Sequence, residues 1–488
     1  MSGNEGLEMN KIGWKKAVNA CGLLVVVYLL YVIAGGILSV TLRTPPEPVE
    51  RALTFKETSE QVTLLEYGLA SFGARMNIIE EAEETLDVAY FYMEQGESVQ
   101  LHYAYVLAAA DRGVNVRYLL DGLFHGVRGD DRDVLRAFNA HPNIELKLYE
   151  PVWSVVLAPW RVNNRMHDKI LIADDQFAVT GGRNIGDLYY ERGNVESSYS
   201  FDRDIMLINQ EGQEDGLISD MQAYYTELFD SDYSQSQNNR TLFSWEQTRA
   251  EEKLEALRAV YEEHQHEEAD REQVAQITDW IDQSVEINGG FHTHNSIERG
   301  FKQPYIWSDL LTLANQAEEE LFVQSPWVIP NRHMRQHLEA VDLSVGQAKV
   351  LTNGKSTNSN IFAQAGTENR KDFFIESFAD YYEFQPKGSS LHMKTLVVDN
   401  QISAVGAYNF DARSTWLSTE SMLVIDSEEL AEQIMNEAEA SYLNRSVRFD
   451  PSVDKVPGEH TEVKEAALWE RLLVPVMRPF AWVLESLL

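Results

Sequence analysis

MHDKILIADDQFAVTGGRN, residues 166–184, and LHMKTLVVDNQISAVGAYN, residues 391–409, decide how this 488-residue chain is read. Laid side by side, they set His167, Lys169, Asp174, Gly181 and Asn184 against His392, Lys394, Asp399, Gly406 and Asn409, with every internal spacing the same. In a strand, residues i and i+2 face the same way, so each histidine projects with its lysine. The apolar run Ile170–Ala173 predicts a buried strand that turns at Asp174. Phe177–Thr180 predicts the next strand, ending at Gly181–Gly182. Glycine at 181 and 406 lets an anion approach the backbone, and Asn184 and Asn409 bring amide donors to the same end. Imidazole, ammonium and amide at one spot form a phosphate-handling set. One histidine on a strand is as a rule structural. The same set twice, at identical spacing, points to function.

Outward from these motifs the chain repeats. NIIEEAEETLDVAYFYM (77–93) and DLLTLANQAEEELFVQSPWVI (309–329) are each a helical pattern running into an apolar strand. Each is followed by a helix and a second strand, VNVRYLLDG (114–122) and AKVLTNG (348–354). Strands alternating with helices predict parallel α/β units, here in two copies. The expected organisation is a first half over 60–230, a polar linker and acidic helical insert over 231–295, and a second half over 296–445. The linker is SDYSQSQNN (231–239), and the insert, about Trp245 to Val285, reads as a solvated helix. His264, His266, His292 and His294 lie in polar surroundings without paired carboxylate spacing, so no metal site is read there.

No charge interrupts the stretch between Lys16 and Arg43. At about 1.5 Å per residue it is long enough to cross a hydrocarbon layer of about 30 Å. Residues 1–16 then form a cytoplasmic tail, 17–42 an anchor and 43–59 a linker. Lys11, Lys15 and Lys16 precede the anchor and keep that end in the cytoplasm, which sets the rest outside. A cleaved signal peptide is the rival reading, but the run is long for one and shows no small-x-small site before Arg43. The last segment, 446–488, contains AALWERLLVPVMRPFAWVLESLL (466–488), whose Trp, Leu and Arg mixture suits an interfacial helix. VWSVVLAPW (152–160) is an apolar loop just before the first motif. Both segments either touch a membrane or pack on the domain.

Lys and Arg total 41 against 77 Asp and Glu, a net charge of −36. That field repels nucleic acid, so none is expected as a partner. The single cysteine, Cys21, excludes an intramolecular disulfide and a cysteine zinc site.

The two motifs resemble the phospholipase D superfamily, whose signature is H-x-K-x4-D followed by a turn with Gly and Asn. The resemblance covers about residues 60–445. GGRNIGDLYY (181–190), GAYNFDARS (406–414), RGVNVRYLLD (112–121), RMHDK (165–169) and GSSLHMK (388–394) look most like the bacterial cardiolipin synthase branch, in its short form. Gly182 and Ala407 stand where that pattern often has a hydroxyl, so a hydroxyl contact to phosphate is not expected here. The resemblance implies an α/β fold of two phospholipase D-like α-β-α halves packed about a pseudo-two-fold axis. It implies a catalytic set of His167, Lys169, Asp174, His392, Lys394 and Asp399, with Asn184, Asn409, Gly181 and Gly406 at the phosphate. His167 attacks phosphorus, and His392 protonates the leaving alcohol and later serves as base. The two lysines hold non-bridging oxygens where other phosphoryl enzymes use Mg²⁺, so neither cofactor nor metal is needed. Asp174 and Asp399 hold the strand–turn geometry and need not touch substrate.

Asp204 and Glu420 each precede an apolar strand, IMLI and SMLVI. Either they orient the histidines across the interface or they are surface carboxylates. A lipid alcohol as acceptor makes a cardiolipin synthase, with phosphatidylglycerol or phosphatidylethanolamine as donor. Water as acceptor makes a hydrolase releasing phosphatidic acid. A nuclease of the same superfamily and a non-catalytic, membrane-tethered lipid-binding protein are the rivals. Anchor and acidity oppose the first, and two complete motifs oppose the second.

Overall fold

The structure is a computed structural model that describes residues 3–41, 43–190, 199–238, 241–269, 276–341, 347–355, 357, 360–377, 380–386, 388–449, 455–461 and 468–488. Short apolar runs without polar alternation are buried on both faces, as Lys169–Ala173, Phe177–Gly181, Asp204–Ile208 and Thr395–Val398 are, while the strands nearer the sheet edges are partly exposed. In the first half the principal strands are β1 (Gln61–Leu65), β2 (Thr85–Tyr90), β3 (Asn115–Asp121), β4 (Ile144–Tyr149), β5 (Lys169–Ala173), β6 (Phe177–Gly181) and β7 (Asp204–Ile208). In the second they are β8 (Gly289–His294), β9 (Glu320–Gln324), β10 (Gln347–Asn353), β11 (Asp380–Phe384), β12 (Thr395–Val398), β13 (Ile402–Gly406) and β14 (Ser421–Asp426). The order β4-β3-β2-β5-β6-β7-β1 is repeated as β11-β10-β9-β12-β13-β14-β8. The duplication read from the motifs therefore extends to whole sheets.

The sheets are mixed rather than parallel throughout. Only β2-β3-β4 and β9-β10-β11 run parallel; the motif strands and those beyond them are antiparallel. Connection length is the reason. Ala173 pairs with Phe177 and Val398 with Ile402, so three residues close each motif hairpin. A loop that short can only return antiparallel.

The turns place Asp174 and Asp399 in the left-handed region, at φ of 52° and 50°. There the Asp174 carboxylate accepts the backbone N–H groups of Glu83, Glu84 and Thr85 at 2.9, 2.9 and 2.7 Å. Asp399 repeats this on Glu318, Glu319 and Glu320. Both aspartates thus cap the entry to β2 or β9, at the strand ends away from the histidines, and neither lines the cavity described below. Their place in the catalytic set is corrected to a structural one. Asp174→Ala is expected to cost about 1–3 kcal/mol and to lower the apparent Tm by about 2–6 °C. Turnover per folded molecule should be retained, as measured by thermal melting and active-site titration.

The boundaries shift slightly. β8 lies within the span read as insert yet pairs with β14 of the second sheet. Val285–Glu286 instead joins the first sheet beside β1. The insert helix, Ser244–Ala269, is not wholly solvated: Ala250 and Leu257 are buried, and the Tyr105 hydroxyl meets His264 Nδ1 at 2.9 Å. His292 and His294 stack near Tyr224. His266 lies near the end of the insert helix.

The halves share one core. Met166, Ile170, Ile172, Ala178 and Leu207 of the first pack in a single cluster with Phe322, Met393, Val397, Val405 and Leu423 of the second. Each of these apart from Ala178, fully buried, contributes roughly 1.5–3 kcal/mol. Two parallel bridges stitch the halves across this core. Arg165–Met166 pairs with Ser418–Thr419, and Ser389–Leu391 pairs with Tyr199–Phe201. Each bridge delivers a motif histidine to a strand of the opposite half.

Helix α1 (Gly3–Thr41) is apolar and unburied over Lys16–Ser39, long enough to cross a membrane. It touches the body at the apolar segment 152–160, which is not a loop as expected but a short helix, Val152–Leu157, followed by a 3-10 turn; there the Tyr28 hydroxyl donates to the Val156 carbonyl at 2.7 Å and Tyr31 meets the Trp160 ring edge-on. The tail folds into α2 (Leu468–Val483). One face buries Val474 and Ala481 against the helix Ile361–Ser377. The other leaves Leu468, Trp469, Leu472, Val476, Phe480 and Trp482 exposed. An apolar face open to solvent needs a covering surface.

Candidate active site

Both motif histidines line a single cavity of about 660 Å³. His167 is fixed by its N–H on the Thr419 carbonyl (3.1 Å), His392 by its N–H on the Phe201 carbonyl (2.7 Å). Their rings are locked by carboxylates, also from across the interface. His167 Nδ1 lies 2.9 Å from Glu420 Oε2, and His392 Nδ1 lies 2.6 Å from Asp202 Oδ2. Both carboxylates are fully buried. With Nδ1 engaged, Nε2 is the nitrogen left to the cavity. Neither half can complete a histidine–carboxylate pair alone.

Of the two residues expected to orient the histidines, Glu420 does so and Asp204 does not. Asp204 accepts from the Ser71 hydroxyl at 2.7 Å and neutralises Arg75 and Arg183 at 2.9 and 3.2 Å. Strand register explains the slip. Gly181 pairs with Asp204, and Gly406 pairs with Met422. The first-half counterpart of Glu420 is therefore two residues earlier, at Asp202. The doubled acid in FDRDIMLI hid this, and the two motifs stand at different distances from these strands, so spacing offered no second signal.

The glycines have a different reason from the one expected. A Cβ on Gly181 would stand 2.1 Å from Asp204 Oδ1, and one on Gly406 2.3 Å from the Ser421 carbonyl. They admit the neighbouring strand, not an anion, and neither lines the cavity. Gly182, where a hydroxyl is common in the pattern, clears Asp202: a Cβ there would meet Oδ1 at 2.0 Å. Asn184 and Asn409 do line the cavity. Each has a buried Oδ1, an acceptor, without a partner among the described residues, and Asn184 Nδ2 donates to the Tyr189 hydroxyl at 3.1 Å.

Lys169 and Lys394 are buried behind the histidines, each Nζ donating to the carbonyl of its own histidine. They do not line the cavity. Burial lowers them, Lys169 to about 8 and Lys394 to about 7. The ammonium is the form that attracts phosphate, and a lowered pKa means it is lost earlier as pH rises. kcat/KM should therefore fall above about pH 7, by about tenfold per pH unit for each ammonium lost. Lys394→Arg, which keeps its charge, should move that limb to higher pH.

The two histidines differ electrostatically. Burial and then the charge of Lys394 push His392 down to about 4, and the Asp202 carboxylate, itself held near 2 by Lys394 and the histidine, acts against that shift. His167 is pushed down by burial and then by Lys169, Lys394, His392 and Arg413. Burial meanwhile raises Glu420, with Lys169 opposing. Both shifts favour the neutral imidazole, and only for His392 does a carboxylate, Asp202, act against the shift. Arg165, Asp411 and Arg413 give the wall a charged part, and Phe91, Phe124, Tyr189, Trp327, Ile329 and Phe362 an aromatic and apolar one. Sequence reasoning did not single these out, since they lie on loops and helices far apart in the chain.

Comparison with known proteins agrees with this geometry. The family model described as "Cardiolipin synthase, PLD-like domain" matches twice, over residues 76–208 and 310–442. The chain belongs to this family, a branch of the phospholipase D type. Among individual relatives, cardiolipin synthase C of Escherichia coli (strain K12) is 27% identical over 495 residues, covering 86% of this chain and 95% of its own. Cardiolipin synthase 1 of Bacillus anthracis is 25% identical, covering 78% of this chain and 66% of its own. The crystal structure of a phosphatidylserine synthase from Haemophilus influenzae Rd KW20 superposes over 88% of this chain and 95% of its own, with TM-score 0.61 and 14% identity, a likeness of fold.

Proposed function

We propose that this chain is a membrane-anchored phosphatidyltransferase that makes cardiolipin through a phosphohistidine. The observation behind this is the reciprocal pair: two imidazoles in one cavity, each held at Nδ1 by a carboxylate of the opposite half. His167 Nε2 attacks the phosphorus of a donor phospholipid. The P–O bond to the headgroup alcohol breaks, and His392 gives that oxygen its proton. The headgroup leaves, glycerol from phosphatidylglycerol or ethanolamine from phosphatidylethanolamine. The free hydroxyl of a phosphatidylglycerol then loses its proton to His392 and attacks phosphorus. The P–N bond breaks, and cardiolipin is released with His167 restored. Lys169 and Lys394 supply positive potential while charge builds on the phosphoryl oxygens, and Asn184 and Asn409 offer amide donors there.

The lipid substrate is supported by the apolar part of the cavity's wall and by what surrounds it. Val162 and Asn163 of that wall follow directly on the apolar segment that α1 touches. Leu484, Leu487 and Leu488 enter it from the tail. Helix α1 as the anchor, with Trp153, Trp160 and the exposed face of α2 at the bilayer surface, would set the cavity against lipid headgroups. The lysines before α1 favour a catalytic body outside the cytoplasm, which protease accessibility in intact cells tests.

The deciding experiment incubates the purified full chain with mixed phosphatidylglycerol and phosphatidylethanolamine vesicles and EDTA. Cardiolipin formed by the wild type but not by His167→Ala is the expected result, and omitting one lipid at a time names the donor. Phosphatidic acid without cardiolipin would mean a hydrolase with the same histidine chemistry.

A further inference from the structure

The catalytic core is two-fold symmetric, but the two guanidiniums in the cavity wall are not: Arg165, two before His167, has Ser390 as its counterpart before His392. Arg413 stands four residues after Asn409; the same step from Asn184 reaches Leu188. The symmetric elements serve one phosphate, the one shared between the two histidines. Joining two phospholipids brings a second phosphate into the cleft, one glycerol away from the first. A device for it has to lie off the axis, and Arg413 is off the axis.

Its bonding sets it apart. The buried guanidiniums of Arg75, Arg165, Arg183 and Arg203 each have a carboxylate partner. Among the described residues none forms an ion pair with Arg413. Its Nε and Nη2 donate to the Leu487 carbonyl at 3.0 and 2.8 Å. Burial lowers Arg413, and Asp411, which lines the same cavity, opposes this, but the Asp411 carboxylate accepts from the Ser414 N–H at 2.8 Å and forms no ion pair with the guanidinium, so Arg413 keeps the capacity to bind a visiting anion. Arg165 lines the same cavity, and its buried Nε has no partner among the described residues. Arg165, Arg413 and His167 all line the one cavity. The second half and the tail also give the wall Ile329, Phe362 and Leu484.

We propose that Arg413, backed by Arg165, binds the phosphodiester of the acceptor lipid and so directs the phosphoryl group to a phospholipid hydroxyl. This rests on the transferase reading above. A phosphodiester oxygen is anionic and a stronger acceptor than the Leu487 carbonyl, which it would replace on the guanidinium. The site thereby recognises an alcohol by the phosphate it carries, which water and free glycerol lack.

The test is a competition between acceptors, run with the full chain in detergent micelles of phosphatidylglycerol plus isotopically labelled free glycerol. The donor step is common to both products. Attack by a second phosphatidylglycerol gives cardiolipin, and attack by labelled glycerol gives labelled phosphatidylglycerol. Arg413→Gln is expected to lower the ratio of cardiolipin to labelled product by about tenfold or more, the effect of losing one charge-assisted contact to an anion. Arg413→Lys should fall between the two. A role confined to clamping the Leu487 carbonyl would lower both products together, and an unchanged ratio overturns the proposal. Should Arg413→Gln form neither product, Arg413→Lys is read the same way: a drop of about threefold or more supports the subsite and no change overturns it. A wild type that labels phosphatidylglycerol yet makes no cardiolipin overturns the transferase reading itself, and the subsite with it.

Discussion

Alanine at His167 is expected to lower phosphatidyl transfer by at least about 10³-fold, and alanine at His392 by a similar factor, because each supplies a step that water does not replace. The roles separate with an aryl phosphodiester, whose phenolate leaves without a proton. His392→Ala should then recover most of the first step and release a burst of phenol, since only protonation of the leaving group was lost. His167→Ala should release none, since the nucleophile itself is gone. Asp202 opposes the lowering of His392 by burial and Lys394, whereas His167, although it contacts Glu420, is lowered by burial and then by Lys169 and Lys394. A burst from His167→Ala and silence from His392→Ala would exchange the two roles.

Neutralising the carboxylates behind the rings should produce the next largest loss, about 10²–10³-fold for Glu420→Gln or Asp202→Asn. An amide of the same shape keeps the packing but presents either N–H or O to Nδ1, so the ring can settle in the wrong tautomer. The sign for Asp202 is definite. Its charge raises the His392 pKa, so Asp202→Asn lowers it further, the acid is protonated less often, and natural lipids should suffer more than the aryl ester. Asp204→Asn provides the contrast. It strips Arg75 and Arg183 of their buried counter-charge, a loss of about 3–5 kcal/mol, and should appear as poor folding rather than altered chemistry. Melting curves alongside kinetics with both substrates distinguish them. An Asp202→Asn enzyme with full activity would remove the carboxylate from the mechanism.

The duplicated motif was legible because its information is local. His167 and Lys169, or His392 and Lys394, stand two apart on one stretch of chain. The aspartate turn, the apolar strands and the asparagine follow at distances set by backbone geometry alone. The apolar stretch of α1 is legible for the same reason, since length and composition suffice. Parallel pairing was over-read, because alternating helices and strands mark crossovers but do not show where a three-residue loop reverses the chain.

The sequence by itself determined two equivalent halves, the histidine in each and a helix long enough to cross a membrane, all properties of short windows whose periodicity and spacing are dictated by covalent geometry. Only the tertiary structure decided that each histidine is completed by the opposite half, that Asp202 rather than Asp204 does this for His392, and that Arg413 breaks the symmetry of the shared cavity. Glu420 lies 253 positions from His167 and Asp202 lies 190 from His392. Contacts across such separations are set by strand register and by burial of the common core, and neither is written into any one segment of the chain.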